Sequence, residues 1–156
     1  MGYAERVLQP DEKIVYRARL HWIIYTPGVL SIVGASLVAL CGYVLVDPML
    51  HYGLMILAGF VGATGLFSVL RAWFRSANTE IIVSTRRIIY KAGFVSRMTT
   101  EMNLNKVESV RVHQGLLGRI FDFGTLIIRG VGAGIEPVAN VAAPLDFHRY
   151  VNANET

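Results

Sequence analysis

Two apolar runs, separated only by a few residues around Asp47-Pro48, set the terms for everything else in this chain. Ile23–Val46 carries no charged residue, and neither does Gly53–Leu70. As helices, about 20 such residues cross a hydrocarbon core of roughly 30 Å. The runs therefore read as a transmembrane helical hairpin over residues 22–73, with spans at about 23–46 and 51–73. The remaining residues, roughly 100, suffice for one small domain with its own core but not for two. Residues 1–21 form a lead-in whose strand packs with a domain over residues 76–156, so that the domain is built from both flanks of the hairpin.

The hairpin carries its own signals. Trp22 and Tyr25 before the first span and Trp73 after the second suit the headgroup level, where a ring is apolar and its N–H or O–H stays wet. His21 reads as an interfacial residue. Thr26-Pro27 suits an N-cap and first-turn pair, and Asp47-Pro48 ends the first helix. Small residues recur at four-residue spacing, Ser31, Ala35 and Ala39 in one helix and Gly59 and Ala63, with Ala58 and Gly62, in the other. Such spacing lets backbones approach, within the hairpin or between subunits. Lys13, Arg17 and Arg19 precede the first span; Arg71, Arg75, Arg86 and Arg87 follow the second; the connecting loop has no Lys or Arg. The positive-inside rule puts both termini in the cytoplasm of a multi-pass protein of the bacterial inner membrane. The first run is too long for a cleaved signal core and is preceded by about 20 mixed residues, so it is retained. Cys41 is the single cysteine, lies within that run, and allows no intrachain disulfide. Leu40 before it is unsuited to lipoprotein processing.

The flanks read as β-rich. Pro10–Glu12 is a turn, and Lys13–Leu20 is a half-buried strand with Ile14, Tyr16, Ala18 and Leu20 on its apolar parity. After the hairpin, strands are expected at Glu80–Ser84, Arg87–Ala92, Val95–Met102, Val107–His113, Thr125–Arg129 and Val138–Val141. Leu117–Gly124 is a glycine-bounded connection, and Gly130, Gly132 and Gly134 mark a tight turn. Pro144–Val151 is a helix burying Leu145, Phe147 (or His148) and Val151. The fold class is an α+β membrane protein: a helical hairpin plus a bent antiparallel sheet or open barrel capped by a C-terminal helix.

Several of these stretches together resemble the bacterial pleckstrin-homology-like domain family. They are Thr79–Ile89 with Lys91-Ala92-Gly93, Lys106–Val110, Gln114 with Leu117–Ile120, and Phe123-Gly124-Thr125. The lead-in Leu8–Glu12, Tyr16 and His21-Trp22 is similar to that of the membrane-anchored branch, which has two transmembrane helices. The resemblance implies a seven-stranded, strongly bent sheet capped by a helix. It brings no reaction; the family is mostly of unknown function, with suggested roles in membrane-associated assembly and envelope stress. One departure is Val131, where the family more often has a polar residue.

No catalytic constellation stands out. The carboxylates are scattered, and no two of His21, His51, His113 and His148 are spaced i, i+3 or i+4. Neither a cofactor nor a metal is implied. Gly130–Gly134 lacks the spacing of a dinucleotide fingerprint. The spans offer only Ser31, Ser36, Thr64 and Ser68, which does not suggest a transport path. The expectation is a non-catalytic scaffold or adaptor that self-assembles as a homo-oligomer or binds a membrane protein partner. Alternatives are an anionic-lipid-sensing module and an accessory subunit of a transporter or membrane protease. Membrane lipids are partners; nucleic acid is not. Candidate headgroup contacts are Arg71, Arg75, Arg86, Arg87, Lys91 and Arg97. The candidate protein-interaction loop is Gln114, Leu116, Leu117 and Arg119, in which the two leucines serve a partner, face the bilayer or plug the open end of the barrel.

Overall fold

The computed structural model describes residues 11–44, 47–93, 98–132 and 134–153. The chain divides into two compact units, residues 22–74 and residues 1–21 with 75–156. In the first unit a 3-10 turn, Trp22–Tyr25, leads directly into α1 (Thr26–Val44). Thr26 therefore does not act as the N-cap, and its Oγ1 is buried without a hydrogen-bond partner. Asp47 caps the following helix instead: its carboxylate accepts from the Leu50 N–H at 2.9 Å. Pro48 takes the first position of α2 (Pro48–Asn78), where its missing N–H costs nothing. With 31 residues, α2 is about 46 Å long, well beyond the expected 51–73 and beyond a hydrocarbon core of roughly 30 Å.

Both helices are long and apolar enough to cross a membrane, and little of either span is buried. Leu30, Leu37, Ile56, Phe60 and Phe67 all project outward, an apolar mantle that a water-soluble surface does not carry. The hydroxyls of Ser31, Ser36, Thr64 and Ser68 are satisfied within their own helices, Ser31 on Pro27 O and Ser68 on Thr64 O both at 2.9 Å, as suits a lipid environment. What lies between the helices is small. Gly28, Ala35 and Gly42 are the buried residues of α1, and Ala58, Gly65 and Ala72 those of α2, each set on a seven-residue spacing that keeps one seam facing the partner helix. A Cβ on Gly28 would stand 2.9 Å from Gly65 O. Ala35 and Gly62 share this seam. Gly59 has open space around it and Ala63 is exposed, so these two point away from it.

In the second unit seven strands are described: β1 (Ile14–Ala18), β2 (Glu80–Ser84), β3 (Arg87–Ala92), β4 (Met98–Asn103), β5 (Val107–His113), β6 (Phe123–Gly130) and β7 (Gly134–Ala142). They form two antiparallel sheets, ordered β1-β2-β3-β4 and β5-β6-β7. The lead-in thus supplies an edge strand, paired with β2 across the intervening hairpin. Its last residues stitch the sheets together: Leu20 bridges Val141, His21 N–H donates to Asn140 O at 2.7 Å, and Ala142 N–H to Arg19 O at 2.9 Å. The two sheets do not close into a barrel, since β4 and β5 are not paired.

A bulge at Val15 displaces the lead-in alternation. Tyr16 and Leu20 face the main core with Ala18, while Ile14 turns to the opposite face, against Ile82 and Ile89. A second irregularity near Ser109 brings Val107 to the same core as Val110 and Val112. The stretch expected as a glycine-bounded connection contains a one-turn helix, α3 (Leu116–Ile120). The C-terminal helix α4 (Pro144–Ala153) buries Pro144, Phe147 and Val151, leaving Leu145 exposed. Phe147 and Val151 are wholly buried, and each such side chain contributes about 1.5–3 kcal/mol. Tyr16 clasps this helix, stacked on Tyr150 at 4.9 Å and edge-on to Phe147.

Candidate functional site

Of the six cations expected to meet lipid headgroups, five lie among the described residues. Arg71 and Arg75 lie one turn apart on α2, both exposed. Arg86 and Arg87 lie at the β2–β3 turn, at the far end of β2 from Glu80, where the chain arrives from α2. Five strand residues separate those ends, about 13 Å. Lys91 is back at the near end, opposite Glu80. Arg97 lies outside the described residues.

Arg87 is committed internally. Its guanidinium forks onto Glu12, Nε to Oε1 at 3.0 Å and Nη2 to Oε2 at 2.7 Å, and its Nη1 meets Glu101 at 2.7 Å. The Glu12 side chain is 1% exposed. The Ser84 hydroxyl donates to the same carboxylate and accepts the Arg87 N–H at 3.0 Å, closing the turn. Hydrogen bonding from Glu12 foremost, and then the charge of Glu101, raises the Arg87 pKa, while burial opposes them. Two of the scattered carboxylates thereby have a structural occupation. No cluster of three metal-ligating side chains occurs among the described residues.

Two other arginines share a cleft. Arg17 and Arg19 line a cavity of about 230 Å³ with Ser76, Thr79 and Glu80, where the lead-in ends and α2 gives way to β2. Sequence reading used both arginines only for orientation; their shared parity on one strand was the available sign of a common face.

The loop residues singled out from sequence do come together. Gln114 reaches across α3 and donates from its amide to Gly118 O and Phe123 O, both at 3.3 Å. Gly118 passes so near β6 that a Cβ there would meet Phe123 O at 2.5 Å, and at Gly124 one would meet His113 O at 2.9 Å. The short helix is thus held tightly against the sheet, and its apolar side chains face outward. Leu116 is 81% exposed, Leu117 63%, Ile120 73% and Phe121 45%. They do not plug the sheet's open end; α4 packs against β1, β2, β5 and β6.

A further surface lies at the open side of the sheet. β4 is the last strand of its sheet, and Met98, Thr99, Glu101 and Asn103 are exposed along it. Beside it a cleft of about 250 Å³ is lined by Thr100, Met102, Lys106, Gly130 and Val131. The glycine turn closes onto that cleft: Val131 N–H donates to Lys106 O at 3.0 Å, and Gly130 is close enough to Met102 that a Cβ would clash. Val131 itself is exposed.

Two antiparallel sheets of four and three strands with a C-terminal helix packed on both, and an α-helical hairpin inserted in sequence between the first two strands, define a membrane protein that carries a PH-like domain. Sequence comparison agrees: the chain matches the bacterial PH domain over residues 29–155 and belongs to that family. A curated relative, the UPF0699 transmembrane protein YdbT of Bacillus subtilis, is 25% identical over 83 residues, 53% of this chain. The match spans only 17% of that protein's length. No solved structure matches the chain.

Proposed function

We propose that this chain is a non-catalytic assembly module of the bacterial inner membrane, with both termini cytoplasmic, that joins a second copy of itself through the edge of β4. The observation that carries this reading is the state of that edge. Native edge strands are blunted by prolines, outward lysines or covering elements, because an exposed row of N–H and C=O groups pairs with any suitable strand. The described edge Met98–Asn103 has no proline and no lysine, and Glu101, its sole charged residue, is drawn to Arg87. Two β4 strands meeting antiparallel about a two-fold axis satisfy each other's backbone and make a continuous eight-stranded sheet from two four-stranded ones. The hairpin supports this reading by confining the domains to one plane, where a weak edge contact becomes effective.

The test is cross-linking in intact membranes. Thr99→Cys, in a Cys41→Ala background, gives a disulfide-linked dimer on mild oxidation, whereas Arg149→Cys on the exposed face of α4 does not. A single-subunit mass across a wide concentration range after gentle extraction, with no Thr99 adduct, would sink self-assembly. An adduct with another protein would make the edge an adaptor site instead.

The cleft of Arg17 and Arg19 favours a second reading, anionic-lipid sensing beside the membrane entry. Charge reversal at both positions then lowers the anionic lipid retained in native mass spectra. Unchanged retention removes that reading.

A further inference from the structure

The four exposed apolar side chains of Leu116, Leu117, Ile120 and Phe121 sit on a support that does not yield. Gln114 clips the turn from one side, and Gly118 and Gly124 admit the close backbone contacts that hold it. The patch is therefore a built knob with something to cover it.

Chain connectivity identifies the cover. The His21 ring stacks on Phe123 at 5.3 Å and 27°, and His21 N–H is bonded to Asn140. The next residue, Trp22, opens the first span. Successive Cα atoms are about 3.8 Å apart, so the chain enters the apolar span within one residue of a ring packed on Phe123. Phe123 in turn follows Phe121 by two residues and Ile120 by three. The knob thus lies beside the point at which the chain enters the bilayer.

We infer that the α3 knob inserts into the cytoplasmic face of the bilayer and fixes the tilt of the PH-like domain. This rests on the reading that the hairpin spans the membrane. The attraction is apolar: Arg119 on the knob is offset by Asp122 beside it, both exposed, so insertion does not depend on anionic lipid. A knob of this kind turns a tether at one point into a two-point attachment. It also restricts the directions in which the β4 edge can face.

The test uses the full chain in lipid nanodiscs. Ile120→Cys in a Cys41→Ala background carries an environment-sensitive fluorophore, and Asn105→Cys serves as the water-exposed reference. The expected result is a blue-shifted Ile120 label that is shielded from aqueous iodide and quenched by brominated acyl chains, equally in zwitterionic and anionic discs. A label as open to iodide as the one at Asn105 overturns the inference. So does one shielded from iodide yet untouched by brominated lipid, since protein then covers the knob. If insertion appears only with anionic lipid, the apolar mechanism is wrong. Leu116→Asp with Ile120→Asp, both at exposed positions, leaves the melting of the detergent-solubilised protein unchanged while abolishing any shielding of a Phe121→Cys label. Failure of the protein to stay in the disc, seen before any label is read, strikes the spanning reading and not the knob.

Discussion

Arg87 grips Glu12 with two hydrogen bonds, 2.7 and 3.0 Å, across 75 positions of sequence that contain the entire helical hairpin. The pair fastens the residues just before β1 to the β2–β3 turn, and Ser84 bonds to Glu12 and Glu101 to Arg87 beside it. The two flanks of the hairpin are therefore locked by charge as well as by strand pairing.

Removing one member of this pair strands the other. Glu12→Gln takes from the Arg87 guanidinium the carboxylate it forks onto, and breaking a buried pair in this way costs about 3 kcal/mol. The apparent melting temperature in detergent falls by several degrees, and 0.5 M salt does not reproduce the effect, since the pair is shielded from solvent ions. The double replacement Glu12→Gln with Arg87→Met recovers part of the loss. A Glu12→Gln protein with wild-type melting would show that strand pairing alone holds the lead-in.

The hairpin separates glycines that matter from glycines that do not. Gly28→Ala forces a Cβ to within 2.6 Å of Val69 Cγ2 and 2.9 Å of backbone atoms of Gly65 and Val69. The side chain can move, but the backbone must shift with it, at a cost of about 1–3 kcal/mol. Gly59→Ala meets nothing within 4 Å and improves helix propensity by about 0.5–1 kcal/mol. Resistance of the hairpin to unfolding in sodium dodecyl sulfate is the measurement: it drops for Gly28→Ala and holds or rises for Gly59→Ala. Equal behaviour of the two would place the helix seam elsewhere.

Much of this architecture is written locally. The bounds of β2, β3 and β5 are those expected, because each is a short β-branched run closed by a turn or glycine. The helix α4 starts at Pro144 and buries Phe147 and Val151 for the same local reasons. Where the reading departs, longer-range physics intervenes. The four-residue recurrence of Ser31, Ala35 and Ala39 gave way to the seven-residue seam of Gly28, Ala35 and Gly42, since which small residues face inward depends on the partner helix. Bulges at Val15 and near Ser109 reversed parities that strict alternation cannot foresee. Gly118 looked like loop punctuation, whereas it serves a close approach to Phe123 within one helical turn. Arg87 looked like a surface cation because its partner Glu12 is distant in sequence. For the candidate surfaces, Gln114, Leu116, Leu117 and Arg119 were legible as a group; the β4 edge was not, since nothing in Met98–Asn103 tells an edge strand from a central one.

Tyr16 provides a pH handle on the same union of flanks. Its hydroxyl donates to Ala143 O at 3.4 Å, and its ring lies between β1 and α4. Burial first, then the negative charges of Asp146 and Asp122 and the neighbouring Tyr150, raise its pKa above the usual 10.0. The folded state thus holds the phenol proton more tightly than the unfolded chain does. The contribution to stability is complete below about pH 10 and is lost as pH rises from there through the raised folded value, because ionisation is then easier in the unfolded chain. Melting followed between pH 8 and 11 is expected to be flat at first and to fall at the alkaline end. Tyr16→Phe lowers the plateau through loss of the Ala143 bond, by about 1 kcal/mol, and flattens the alkaline decline. A decline of equal slope in Tyr16→Phe would assign the alkaline loss to other groups and leave Tyr16 a packing residue only.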